Sequence, residues 1–426
     1  MAGALRSRFR VRSPAGLLTL LALINFLNYV DRMILAPLVE ILKEPVHRGG
    51  LGLTSAQAGL LQTAFMVVHS VASIPLGYVA DRYARRYLIA IGVGVWSVAT
   101  TLAGFARTFA QLFASRAAVG IGEATYAPAA SALISERFPP EHRARALGIF
   151  QLGMGMGSAA GYFAGAFIAP VFGWRAAFFV VGLPGLLLVA SMFLVDDETL
   201  ACPARAAAME PSAREKFGLA LPAWIIATGV LVTFFIGAVG FWGMPYVLRA
   251  HFGGNTHRMG QVAVQFGIPA AIATLSGMIA GALAADRLER LKPGVGRLIT
   301  IAVSILIGVP LAMVGILLTA KVPQILVISA GVFFLAWYVG PILAALHESV
   351  PVRYRGTATG IYFFAVHALG DGISPPIVGK LDDMTGSLRP GLLLAVALAA
   401  IGGLCCLAAI ASVRRAPELK GTPNGE

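Results

Sequence analysis

The sequence predicts an all-α membrane protein of twelve transmembrane helices arranged as two six-helix bundles. Three observations carry this. The 426 residues are 58% hydrophobic and only 12% charged, about half the charged fraction of a soluble domain. Apolar runs of about twenty residues, enough to cross a bilayer, recur along the whole chain. Two polar patterns of the first half return in the second at nearly one offset, the mark of an internal repeat.

The first run, 15–38, follows Arg6, Arg8, Arg10 and Arg12. It is too long for a signal-peptide core of roughly 7–15 residues, and no cleavage site follows it, so it is the first span. Runs at 54–80, 86–106, 109–135, 143–171 and 175–195 complete the first set of six. The polar stretch Asp196–Gly218 breaks the pattern, and six more runs follow at 219–249, 260–285, 294–318, 322–348, 356–381 and 389–413. The expected organisation is a bundle at 1–195, a cytoplasmic linker at 196–218, a bundle at 219–413 and a cytoplasmic tail at 414–426. With the N-terminus inside, 22 of the 33 Lys and Arg residues fall in inner segments and 9 in outer loops, leaving Arg32 and Arg116 within spans. The positive-inside rule then places both termini in the cytoplasm.

Asp81-Arg82-x-x-Arg85 follows span two, and Asp286-Arg287-x-x-Arg290 follows span eight, 205 residues on. Glu136-x-x-Pro139-x-x-x-Arg143-x-x-x-x-Gly148 joins spans four and five, and Glu348-x-x-Pro351-x-x-x-Arg355-x-x-x-x-Gly360 joins spans ten and eleven, 212 residues on. Such a repeat implies two bundles in parallel orientation, a layout suited to alternating access by rocking of the halves.

Span four carries Arg116 and Glu123. A charge at mid-membrane costs at least about 2.5–3.5 kcal/mol, so such residues face a water-filled cavity or a partner. Seven residues apart, they share one helix face. Gly120 and Gly122 between them let a neighbouring helix approach closely. Asp31 in span one lies seven residues before the expected outer end, and Arg116 seven after the outer start of its span. Both are then about 10 Å deep and can pair. Burial disfavours a charged carboxylate and a nearby guanidinium favours it. Movement of Arg116 between Asp31 and Glu123 would therefore switch which acid holds a proton; the alternative is a fixed ion pair holding the first bundle. Arg32 points about 100° away from Asp31 and meets other groups. His69 in span two is either structural or cavity-lining.

In span five, Gly153, Gly157, Gly161 and Gly165 form a side-chain-free ridge for close packing. Span seven is uncharged from Leu221 to Leu248 and holds Trp242 and Tyr246; span ten holds Trp337 and Tyr338. A cavity between the bundles would be polar on the first wall, through Asp31, Arg32, Arg116, Glu123 and Tyr126, and aromatic on the second. That suits an amphipath with a charged head and a long tail, although aromatic residues also serve as core or lipid-facing groups. In span eleven, His367 and Asp371 stand one turn apart before Ser374-Pro375-Pro376. The prolines break or kink the helix and free backbone carbonyls, making either a gate or second polar site, or a kinked packing helix with an internal His–Asp hydrogen bond.

The net charge of +13 is accounted for by the inner loops and calls for no nucleic acid. Cys202, Cys405 and Cys406 have neither metal spacing nor the layout of a disulfide framework. No phosphate-binding loop appears, and no nucleophile or metal constellation, so neither an enzyme nor a cofactor is expected. A receptor of transporter-like form would need a sizeable extra cytoplasmic domain, and the longest internal loop is Asp196–Gly218.

The stretch Gly77-Tyr-Val-Ala-Asp81-Arg82-Tyr-Ala-Arg85-Arg86 resembles the signature loop between the second and third helices of the major facilitator superfamily. An acid at a helix end beside several Arg groups can form charge-assisted hydrogen bonds and latch one access state. The latch set is then Gly77, Asp81, Arg82, Arg85, Glu136 and Arg143, with Asp286, Arg287, Arg290, Glu348 and Arg355 in the second half. Antiporters of the superfamily have a Gly-rich motif with a Pro in span five, and here no Pro follows the ridge until Pro170. Leu27-Asn-Tyr-Val-Asp31-Arg32, Gly120-Ile-Gly-Glu123-Ala-Thr-Tyr126 and His367-Ala-Leu-Gly-Asp371-Gly-Ile-Ser374-Pro375 look like the spinster family within that superfamily. The resemblance implies lipid transport, as in animal members that move lysophospholipids and sphingosine phosphate, and proton coupling in some members. It carries the coupling acids and base onto Asp31, Arg116 and Glu123. Short loops and short tails look bacterial, which would place the chain in the cell inner membrane, expected as a monomer. The expected cargo is an amphipathic lipid-like or organic anion, moved with protons. The alternatives are a proton symporter for a small organic acid, such as a hexuronate or aromatic carboxylate, and a multidrug-type proton antiporter.

Overall fold

The computed structural model describes residues 13–80, 84–193 and 218–415. Asp81 and Arg82, the linker up to residue 217 and the tail from 416 lie outside the described residues. Every expected span is helical: α1 Pro14–Lys43, α2 Ser55–Ala80, α3 Arg85–Ala103, α4 Phe109–Arg137, α5 Pro140–Phe172 and α6 Trp174–Met192. In the second half they are α7 Ala220–Phe252, α8 Thr256–Leu291, α9 Gly296–Leu317, α10 Lys321–Glu348, α11 Val352–Thr385 and α12 Arg389–Arg415. Among the described residues, eleven of the twelve have the length and apolarity of a membrane crossing. The exception is α4, the helix that carries Arg116 and Glu123, whose charges and small residues dilute its apolar content.

Contacts group the chain into two compact units. The first comprises Met1–Ser212 with Val247–Ala263, and the second comprises Ala213–Tyr246 with Val264–Glu426. In the first unit the glycine ridge of α5 lies on α1. A Cβ at Gly157 would stand 2.3 Å from the Phe26 carbonyl oxygen, and one at Gly161 would stand 2.3 Å from that of Val30. Phe26 and Val30 are themselves four residues apart, so a four-residue ridge meets a four-residue row. That contact fixes the rotation of α1, and with it the direction of Asp31. On α4, a Cβ at Gly120 would be 2.6 Å from the Phe65 carbonyl of α2, and one at Gly122 would be 2.6 Å from the Trp96 nitrogen of α3. The two glycines admit a helix on each side. Phe65, Trp96, Tyr126 and Phe150 fill the core around this crossing.

The stretch Val247–Ala263 was assigned by sequence to the second bundle; the structure groups it with the first unit. Polar contacts are among those that join it to the first unit. Arg249 makes a two-pronged ion pair with Glu40, at 2.6 and 3.1 Å. The Thr256 hydroxyl donates to Glu44 at 3.2 Å.

In the second unit, α8 packs on α10 through Gly277 and Gly281, where a Cβ would meet Phe333 and Trp337 backbone. α11 is interrupted by a π-helical turn, Val366–Asp371, and restarts at Ser374 with Pro375 and Pro376 in the new first turn. The carbonyl of Pro375 accepts a hydrogen bond from Trp242 Nε1 at 2.9 Å. The break read from the two prolines is therefore present.

Candidate functional site

Four charged side chains converge inside the first unit. α1 supplies Asp31 and Arg32, and α4 supplies Arg116 and Glu123. Arg116 Nη1 donates to Asp31 Oδ1 at 3.0 Å. This is the pair expected from depth. The second oxygen of Asp31 accepts the hydroxyl of Thr100 from α3. Arg32 Nη2 donates to Glu123 Oε2 at 3.2 Å. Glu123 is thus hydrogen-bonded to Arg32, whereas the sequence reading offered it Arg116.

Phe65 of α2 binds the two pairs into one cluster. The guanidinium of Arg32 lies 5.0 Å from its ring centroid and that of Arg116 lies 5.1 Å away. Arg32 also sits 5.0 Å from the ring of Tyr29. Cations over aromatic faces gain about 0.5–2 kcal/mol, more as water is excluded. His69, one turn after Phe65, stacks on that ring at 5.7 Å, which gives it a supporting place in the cluster.

Burial differs from expectation. Asp31 and Arg116 are 0% exposed and Glu123 is 1% exposed. The charged face of α4 borders packed protein in this conformation, not water. Two carboxylates and two guanidiniums sum to zero formal charge, which is how the first unit holds them without solvent. Arg32 alone reaches the surface, with 12% of its side chain exposed. The cluster is also under-satisfied: Nε and Nη2 of Arg116 and Oε1 of Glu123 have no hydrogen-bond partner. Such atoms are rare in buried sites and call for an explanation.

The remaining expected cavity residues divide. Tyr126 is core, its hydroxyl donating to the Leu21 carbonyl. Trp242 is buried against Pro375. Tyr246 donates to the Ile316 carbonyl at 2.6 Å and accepts from Gln324 at 3.3 Å. Tyr338 shares a 2.8 Å hydrogen bond with Thr233. These four are held by their own unit's interior. Trp337 keeps a buried Nε1 without a partner. His367 and Asp371 pair at 3.1 Å on the π-helical turn, with side chains 31% and 18% exposed. A Cβ at Gly237 of α7 would lie 2.5 Å from Asp371, so that glycine is what lets the turn seat against α7.

At the helix ends, Arg85 pairs with Glu136 in the first unit, and Arg297 pairs with Glu348 in the second. Arg297 stands 212 residues after Arg85, and Glu348 stands 212 after Glu136. The repeat is therefore carried into an ion pair. Arg297, not Arg290, is the counterpart of Arg85 in this contact; Arg290 instead donates to the Asp286 carbonyl at 3.3 Å. Arg355 donates to the His347 carbonyl at 3.0 Å, Arg143 and Arg287 are exposed, and Gly77 is half-buried. Thr100, Phe65 and Arg297 were not singled out by sequence. Of these only Arg297 left a trace there, through the shared offset.

A family model described as the Major Facilitator Superfamily matches residues 21–375. The protein spinster of Drosophila melanogaster is 30% identical over 392 residues, 87% of this chain and 62% of the fly protein. The chain thus spans under two thirds of that relative's length. An MFS-type efflux pump of Mycolicibacterium smegmatis is 30% identical over 410 residues, covering 93% of this chain and 92% of the pump. The sphingosine-1-phosphate transporter SPNS2 of Danio rerio is 28% identical over 404 residues, 88% of this chain and 77% of that one. Among solved structures, a bacterial homolog to the human lysosomal transporter spinster, inward-facing and unoccupied, has a TM-score of 0.80 at 20% identity. It covers 97% of this chain and 100% of its own. That likeness is one of fold.

Proposed function

The chain belongs to the major facilitator superfamily and is a spinster-like multi-pass membrane transporter, and from that premise we propose that it moves an amphipathic lipid-like or organic anion by alternating access, driven by protons. The observation that carries this is the under-satisfied, charge-neutral cluster of Asp31, Arg32, Arg116 and Glu123 buried in the first unit. It keeps spare polar atoms on Arg116 and Glu123, and one of its cations, Arg32, is 12% exposed.

The chemistry follows from charge count. An anionic head drawn to Arg32 competes with Glu123 for the guanidinium. Glu123 is then a buried carboxylate without its counter-ion, a state costing several kcal/mol. A proton on Glu123 restores neutrality, and Oε1 has no bond to give up in taking it. One anionic charge bound at Arg32 therefore calls for one proton at Glu123. Asp31, held by Arg116 and Thr100, is the second proton-accepting carboxylate. On the second unit, Trp337, His367 and Asp371 are the proposed cargo contacts. A lipid-like cargo is supported by the zebrafish relative, named as a sphingosine-1-phosphate transporter. The orientation with both termini cytoplasmic, in a bacterial inner membrane, belongs to the same proposal.

The test is uptake into proteoliposomes of a lysolipid panel and an organic-acid panel, with and without a pH gradient. Accumulation of a lysolipid only under the gradient is the expected result. Lipid flux indifferent to the gradient removes proton drive, and gradient-driven uptake of small acids alone removes the amphipath.

The helix-end pairs are proposed as conformational latches. Arg85→Ala and Arg297→Ala are expected to change initial uptake rate by similar factors while leaving the melting temperature nearly unchanged. Partly exposed ion pairs contribute only about 0–1 kcal/mol to stability. Parent-like rates in both variants remove the latch role.

A further inference from the structure

We propose that a groove on the second unit, formed by α9 and α12, is a binding site for an anionic phospholipid of the surrounding bilayer. The groove has a volume of about 910 Å³ and is lined by apolar residues, with Lys292 as its one charged member. That volume is at the upper end of the roughly 300–1,000 Å³ of ligand pockets.

The shape comes from sequence spacing. α9 lines the groove at 299, 302, 303, 305, 306, 309 and 310, and α12 at 400, 403, 404, 407, 410 and 411. Most steps within each set are of three or four residues, so each set lies on one helix face. Small residues hollow them: Ala302 on α9, and Ala400, Gly403 and Ala411 on α12. The floor is closed where the helices touch. Cys406 Sγ donates to the Leu298 carbonyl at 3.3 Å, and a Cβ at Gly403 would be 3.0 Å from Ile305. The walls stay open to the bilayer, with Leu306, Leu404 and Leu407 exposed.

Length selects the occupant. Eleven residues of helix rise about 16 Å, roughly half the 30 Å hydrocarbon core. The groove therefore spans one leaflet. Lys292, the residue that follows α8, is exposed at the same end as the start of α9. An apolar slot one leaflet deep, with its cation at the polar mouth, matches the acyl region and headgroup of a phospholipid. It shares no residue with the charged cluster of the first unit, so it is a separate site from the proposed cargo path.

The test is native mass spectrometry of the full chain, titrated with phosphatidylglycerol or phosphatidylcholine of identical tails. Retained phosphatidylglycerol is expected to exceed phosphatidylcholine about fivefold, the factor that one interfacial lysine supplies. Lys292→Gln should equalise the two lipids without abolishing either. Ala302→Leu with Ala400→Leu, which fills the slot from its accessible side, should lose both while keeping the parent's melting temperature without added lipid. Parent-like retention in the filled variant, or an unchanged preference in K292Q, overturns the assignment. Displacement of the bound lipid by transported cargo would also overturn it, by making the groove a cargo port.

Discussion

Arg116→Ala is expected to destabilise the protein by about 3–5 kcal/mol, because it strands Asp31 as a fully buried carboxylate. Its one remaining partner is the Thr100 hydroxyl. The measurement is thermal melting in detergent, where the variant should unfold well below the parent. The informative comparison removes the whole interaction. Asp31→Leu with Arg116→Met and Thr100→Val replaces the pair and the hydroxyl bonded to it by apolar groups. Such replacements are often neutral or stabilising by about 1–4 kcal/mol. The triple variant should therefore regain parent-like melting, yet show no gradient-driven uptake. The design separates two accounts of the same contact. A scaffold pair is dispensable once its volume is filled, whereas a coupling pair is not. Gradient-driven uptake in a stable triple variant would reduce Asp31 and Arg116 to scaffold.

That pair also marks how far the sequence could be read. The spans were legible because a bilayer demands twenty apolar residues at a time, and α5 declared its packing face through four glycines in step. The partnership of Asp31 with Arg116 followed from depth along two helices. α1 nevertheless runs to Lys43, five residues past its expected end, so the agreement in depth was looser than the pairing it predicted. Depth is one coordinate. The partner of Glu123 depends on rotation and side-chain reach, and these are set by the ridge of α5 and by the glycines of α4 that seat α2 and α3. Arg32 therefore found Glu123, and Phe65 came between two guanidiniums, with nothing in the spacing to announce either. The sealing of the cluster was illegible for a related reason. Charge in a membrane helix signals either water or partners, and only packing decides between them. Arg297 was different: its offset was present in the sequence, but the motif at Asp286 drew the comparison to Arg290 instead.

Glu123→Gln is expected to abolish gradient-driven accumulation while sparing exchange across the membrane without a gradient. Glutamine keeps the size of the side chain and an oxygen that can accept from Arg32, so the 3.2 Å contact can survive in weakened form. What it cannot do is gain or lose a proton. If an anionic head displaces Glu123 from Arg32 only when a proton neutralises the acid, the variant binds cargo at any pH and no longer senses the gradient. Each pH unit supplies at most about a tenfold accumulation per proton, since 1.4 kcal/mol is a factor of ten. A one-unit inward gradient should thus raise internal cargo up to about tenfold in the parent and leave it at equilibrium in the variant. Counterflow of labelled cargo measures exchange in both, and should persist. The direction of any failure is diagnostic. Parent-like accumulation would move proton acceptance to Asp31. Loss of counterflow together with accumulation would make Glu123 part of the cargo contact, with Arg32 following it in the same assay as Arg32→Gln.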